Sequence, residues 1–164
     1  MVTDDAERWT DFAVAAAGAS AALAGLLFVA ISINLRTIVD SPRIPGRAAH
    51  ALILLATPIF LSLAVLIPQG PVALGVELLV VAAVVGPTLG WLSSPGHRPP
   101  HTPVVAWVVA VALPAALVAG GTLLAGIGVL ATSVGGLAWF PAAVAAGLLG
   151  GLFNAWVLLV EIMR

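Results

Sequence analysis

Glu77 is a carboxyl inside an otherwise apolar run, PVALGVELLVVAAVVG. An ionisable group within a membrane span costs ~2.5–3.5 kcal/mol near the centre on insertion scales, which makes each such group a candidate for function. Glu77 stands about five residues into its run, ~8 Å deep at 1.5 Å per residue, below the headgroups and short of the midplane. A carboxyl there suits a proton or cation relay at the mouth of an outer cavity. It equally suits the first turns of a helix, where the N-terminal dipole favours it and the side chain reaches back to water. The only basic residue expected near it is Arg8.

A second set of polar residues gathers toward the opposite face: Asn34 and Arg36 after the first apolar run, Arg47 and His50 at the start of the second, Asn154 and Glu161 in the last. Their depths are compatible, so they meet if those three helices are neighbours. Glu161 would then pair with Arg36 or Arg47, and Asn34 or Asn154 would bond across helices for about 0.6 kcal/mol each. Such a group either glues the helices together or lines a vestibule.

His97 and His101 have the four-residue spacing of helical metal ligands. Arg98, Pro99 and Pro100 lie between them, so they do not share one helical face, and no third ligand accompanies them. No metal and no cofactor is expected. Asp4, Asp5, Glu7 and Asp11 read as a solvated acidic tail. No Ser-His-Asp arrangement, paired catalytic carboxylates or phosphate-binding glycine loop is present, so no enzyme activity is expected. The chain has no cysteine, which removes disulfides and thiol chemistry.

The elements that must position these residues follow from composition. Of 164 residues, 62% are hydrophobic and only 8% charged, against roughly 25% charged in a soluble domain. Mean hydropathy is +1.18. The apolar residues come in runs of about 20, the length that spans ~30 Å of hydrocarbon as a helix, with none of the alternation a membrane barrel would need. The fold class expected is therefore all-α: a polytopic transmembrane bundle of about five spans, at residues 12–35, 48–67, 72–91, 104–130 and 137–162, forming one domain over 1–164. The connections are short, and two are rich in proline, RTIVDSPRIPGR and LSSPGHRPPHTP. The acidic N-terminus lacks the positive region of a cleaved signal peptide, so the first helix is expected to be retained.

Orientation follows from arginine, since short cytoplasmic loops retain positive charge. With five spans, one side holds only Arg8 and the other holds Arg36, Arg43, Arg47, Arg98 and Arg164. The N-terminus is expected outside and the C-terminus in the cytoplasm, in a cytoplasmic membrane. Tryptophan agrees, with Trp9 and Trp139 at the outer boundary and Trp91 and Trp107 at the inner one. Trp156 is deeper, as a lipid-facing or packing residue.

In lipid, helices associate largely through close packing of small residues. The last span carries Ala143, Gly147, Gly151 and Ala155 at spacings of four; the third carries Ala82, Gly86 and Gly90; the first carries Gly18, Ala21, Ala22, Gly25 and Ser32 near one face. These rows pack the five helices together, or one of them, foremost that of the last span, forms an interface with another chain. Pro58, Pro87 and Pro114 each remove a backbone donor and are expected to bend their helices.

The stretch WTDFAVAAAGASAALAGLLFVAISINL, Trp9 to Leu35, resembles the first span of a family of small multi-pass membrane proteins from high-GC bacteria. The resemblance covers one helix and implies no activity or site residue. The function expected is that of a non-enzymatic membrane protein acting through helix contacts, as a homo-oligomer or an accessory subunit, with self-association or another membrane protein as partner. The alternative is a small channel or transporter using Glu77 and the Asn34, Asn154, Glu161 group. The lipid bilayer is the surroundings in either case. With a net charge of −1 and no basic cluster, nucleic acid is not an expected partner.

Overall fold

The structure, a computed structural model, describes residues 9–98, 102–131 and 135–162. The acidic tail positions Asp4, Asp5 and Glu7, together with Arg8, His101 and Arg164, lie outside them. The described residues form α1 (Thr10–Ile33), a short α2 (Leu35–Val39), α3 (Ile44–Leu66), α4 (Pro71–Leu92), α5 (Val104–Ala131) and α6 (Trp139–Ile162). There is no strand among them. Five of these helices are long and apolar enough to cross a membrane, which is the architecture of a multi-pass integral membrane protein.

The spans fall where the apolar runs place them, with one instructive difference. α3 begins at Ile44, four residues before the expected start, because Pro45 occupies its first turn, where a fixed φ and a missing N–H cost nothing. Arg47 and His50 are therefore helical. The first connection also holds α2, so it is less irregular than its prolines suggest. At the other end, Gly135 takes φ +82° and Gly136 φ +50°, a left-handed turn that admits glycine freely and leads into α6.

α3 and α6 form the centre of the bundle. α1 lies on α3, while α4 and α5 pack as a pair against the other side, α4 also meeting α3 and α5 also meeting α6. Burial follows this order: half or more of the most apolar window is buried in α3 and α6, and only 17% in α1.

Glycine determines how closely the helices approach. A Cβ on Gly147 would lie 2.8 Å from the Leu54 carbonyl and 2.8 Å from the Pro58 ring, and one on Gly150 would run into Cβ of Pro114. α6 thus seats a proline of α3 and a proline of α5 in adjacent glycine notches. Gly151 receives Leu55 in the same way, and Ala143 packs against Gly121 of α5. Ala155 is buried with Leu55 and Leu158. The row Ala143, Gly147, Gly151, Ala155 is therefore filled by this chain's own α3 and α5, as the first of its two readings has it. On α4, Ala82 is buried, Gly86 approaches Ala119, and Gly90 is exposed. The tightest α4–α5 crossing is instead at Gly75 and Gly126, each close to the other's carbonyl.

Helices continue through Pro58 and Pro87. Pro114 differs: the chain widens into a π turn over Val108–Ala112 just before it, one of the recognised responses to a lost helical donor.

Candidate functional site

The cluster forms at one end of the bundle, where the α1–α3 and α4–α5 connections meet the last turns of α6. A cleft of about 630 Å³ opens there, lined by Arg43, Gly46, Arg47 and His50 of α3 and its lead-in, Trp91 and Leu92 of α4, His97 of the α4–α5 connection, Trp107 and Val111 of α5, and Asn154 and Glu161 of α6. Ser41 and Pro42 complete the rim. This is within the size range of small-molecule sites, roughly 300–1,000 Å³.

Arg47 Nη1 donates to Glu161 Oε1 at 2.6 Å, joining the first turn of α3 to the end of α6. One oxygen engages one N–H, so the remaining guanidinium donors stay available. Arg43 is exposed and has no ion-pair partner among the described residues.

His50 is only 2% exposed. Its Nε2 lies 3.2 Å from Ser93 Oγ on the end of α4, and its Nδ1 is buried with no hydrogen-bond partner among the described residues. A buried polar atom without a partner is uncommon and calls for a reason.

Asn154, 1% exposed, donates from Nδ2 to the Ala110 carbonyl at 2.8 Å and to the Gly150 carbonyl at 2.8 Å. Ala110 stands four residues before Pro114, so its carbonyl is the one the missing proline amide would have engaged. Asn154 supplies that donor from the neighbouring helix. Pro114, the Gly150 notch and Asn154 form one structural unit that seats α5 on α6 and sets the wall of the cleft.

The cleft is closed toward the bundle centre. Below Val111 and His50 the interior is occupied by Leu54, Leu89, Ala115 and Val118, all almost fully buried. Beyond them Leu61, Leu78, Phe140 and Val144 fill the interior toward the other end. The buried Thr57 and Thr122 hydroxyls donate to carbonyls of their own helices, Ile53 and Val118.

Of the residues singled out in the sequence, Arg47, His50, Asn154 and Glu161 come together here. Asn34 and Arg36 do not line the cleft. Asn34 Nδ2 turns back to the Ala30 carbonyl at 2.9 Å, satisfying α1's own C-terminus, and Arg36 lies exposed on α2. Glu77 lies at the far end, where Gln69 Nε2 donates to its Oε2 at 2.7 Å and to the Ala64 carbonyl at 2.9 Å. This ties the α3–α4 turn to both helices and makes Gln69 the described partner of Glu77; the expected neighbour Arg8 lies outside the described residues.

The sequence reading passed over Arg43, Ser93, Gly46 and the aromatic walls. Trp107 sits at the expected boundary level, yet its ring is turned into the bundle, 7% exposed, whereas Trp91 is 66% exposed. His97 stacks edge-on against Trp91 at 4.9 Å and pairs through Nδ1 with Ser94 Oγ at 2.8 Å. The signal that could have found Gly46 and Ser93 was their place, one helical turn or less from charged or aromatic residues at the same end.

Compared with known proteins, the chain matches no family model, no curated protein and no solved structure.

Proposed function

We propose that the protein is a non-enzymatic multi-pass membrane protein that binds a ligand in the cleft at its arginine-rich end, with the remainder of the bundle as scaffold. By the distribution of arginine that end faces the cytoplasm, in a cytoplasmic membrane. The observation that carries this reading is the combination of an open 630 Å³ cleft with a floor of packed apolar side chains, Leu54, Leu89, Ala115 and Val118. A single-ended cleft binds; it does not conduct. The channel reading loses support for the same reason, since Glu77 lies at the far end and this packed interior separates it from the cleft.

Binding to the folded state raises unfolding temperature, by RT ln(1 + [L]/Kd) in free energy. The test is thermal unfolding of the purified full chain against a panel of anionic, cationic and neutral cytosolic compounds and short-chain lipids, in parallel with Gly46→Phe. Gly46 has room for a Cβ, its nearest neighbour being Leu92 at 3.9 Å, so the phenyl ring fills the cleft without breaking the helix. At least one compound stabilising the wild type and not Gly46→Phe is expected. If every stabilising compound acts equally on both, the reading fails.

A second reading, assembly through helix contacts, is favoured by one observation. Gly18, Ala22 and Gly25 lie on the exposed side of α1, and nothing approaches within 4 Å of where a Cβ on Gly18 or Gly25 would stand. If a second copy or another membrane protein docks, α1 offers the open small-residue face that α6 does not. Gly18→Leu with Gly25→Leu would then reduce oligomer size in bilayers, and an unchanged size would remove this reading.

A further inference from the structure

We infer that the cleft is an anion site and that the group it takes is a phosphate. The inference rests on the cleft being a ligand site, as proposed above, and adds the chemistry of the ligand.

Three features converge on it. First, α3 opens into the cleft with its N-terminus uncapped: Arg43 at the N-cap makes no side-chain capping bond, and no acidic residue stands in the first turn. Pro45 offers no amide, but those of Ile44 and Gly46 precede the helical ladder, and the dipole of a 23-residue helix places positive potential there. Phosphate groups are bound at such termini. Second, the lining carries two guanidinium groups against one carboxylate. Arg47 is paired with Glu161, which leaves Arg43 as the lining charge without an ion-pair partner among the described residues, one turn away on the same rim. Third, His50 borders the cleft almost fully buried, with Nδ1 unpartnered among the described residues. When Ser93 Oγ–H donates to Nε2, the ring proton resides on Nδ1, a donor awaiting an acceptor. An anion with several acceptor oxygens suits the helix terminus and Arg43, and in that tautomer the Nδ1–H of His50 as well.

Phosphate fits the planar fork of arginine, which recognises it through paired N–H donors. Trp91, exposed at the same level, gives the cleft an aromatic flank of the kind found at the headgroup region. The phosphate can therefore arrive on a lipid headgroup or on a soluble compound, since basic pockets between spans at this level bind phosphate headgroups.

The experiment follows the fluorescence of the full chain, whose Trp91 and Trp107 line the cleft, during titration with inorganic phosphate, dioctanoyl phosphatidic acid and, as the neutral control, dioctanoyl glycerol. Saturable binding of inorganic phosphate assigns the site to soluble phosphates; binding of the phosphatidic acid alone assigns it to a lipid headgroup. In either case Arg43→Gln weakens binding about tenfold or more, and Arg43→Lys, which keeps charge but not the fork, falls between. Arg43 is exposed and has no ion-pair partner among the described residues, so both variants are expected to fold. Binding of neither phosphate, equal binding of the neutral control, or affinity unchanged in Arg43→Gln overturns the inference. The two readings fail separately: a compound without phosphate that stabilises the wild type but not Gly46→Phe removes the phosphate and leaves the cleft.

Discussion

Arg47 and Glu161, separated by 114 positions in the chain, meet at 2.6 Å and join the start of α3 to the end of α6. Both side chains keep some access to water, 20% and 39%, so the pair resembles an interfacial contact more than a buried charge. A double-mutant cycle with Arg47→Gln and Glu161→Gln is expected to give a coupling of roughly 0.2–1 kcal/mol, the range of partly exposed pairs. Its sign is favourable, and it shrinks as salt is raised. Zero coupling at low salt would contradict the pairing.

The glycines of α6 are not interchangeable. Gly147 and Gly150 face a backbone carbonyl and two proline rings, none of which can move aside cheaply, so Gly147→Ala and Gly150→Ala are each expected to destabilise by about 1–3 kcal/mol, as overpacking does. Gly151 meets the flexible Leu55 side chain, and Gly151→Ala should cost less. Gly18→Ala and Gly25→Ala meet open space and should be neutral or stabilising, alanine being the better helix former by about 1 kcal/mol. Unfolding of the series in one detergent checks the order; equal effects at all five positions would contradict the packing described.

Asn154 and Pro114 are coupled through the Ala110 carbonyl. Asn154→Leu is expected to cost between about 0.6 and 1.7 kcal/mol, the average and the upper end for hydrogen bonds between membrane helices. In a Pro114→Ala background residue 114 regains its N–H, Ala110 no longer needs a donor from α6, and the same Asn154→Leu change should cost less. A cost equal in both backgrounds would mean that Asn154 acts by packing alone.

The spans were readable because 20-residue apolar runs and turn chemistry are local properties, and five helices appear within a few residues of where those runs place them. Arg47 with Glu161 was legible as a pair of charges at matching depth. Two kinds of information were not local. Whether Gly147 and Gly151 pack within the chain or against another depends on which helix lies opposite. A stripe of small residues reads the same in both cases, and only the seating of Pro58 and Leu55 decides it. The cleft itself arises from the convergence of three helix ends and two connections, and neither Gly46 nor Ser93 carries a charge or motif to announce it. Asn34 shows the reverse failure: its polarity suggested a partner across helices, while the carbonyl of Ala30 one turn back was the nearer acceptor.

The cleft is open at the arginine-rich end and sealed beneath by Leu54, Leu89, Ala115 and Val118. Because the chain has no cysteine, a single introduced thiol reports its own surroundings, and Val111, lining the inner part of the cleft, is the position to use. In proteoliposomes Val111→Cys is expected to react with a membrane-impermeant thiol reagent from the arginine-rich side only, with Val118→Cys in the packed centre unreactive from either. Labelling of Val111→Cys from both sides, or from neither, would contradict a single-ended binding cleft.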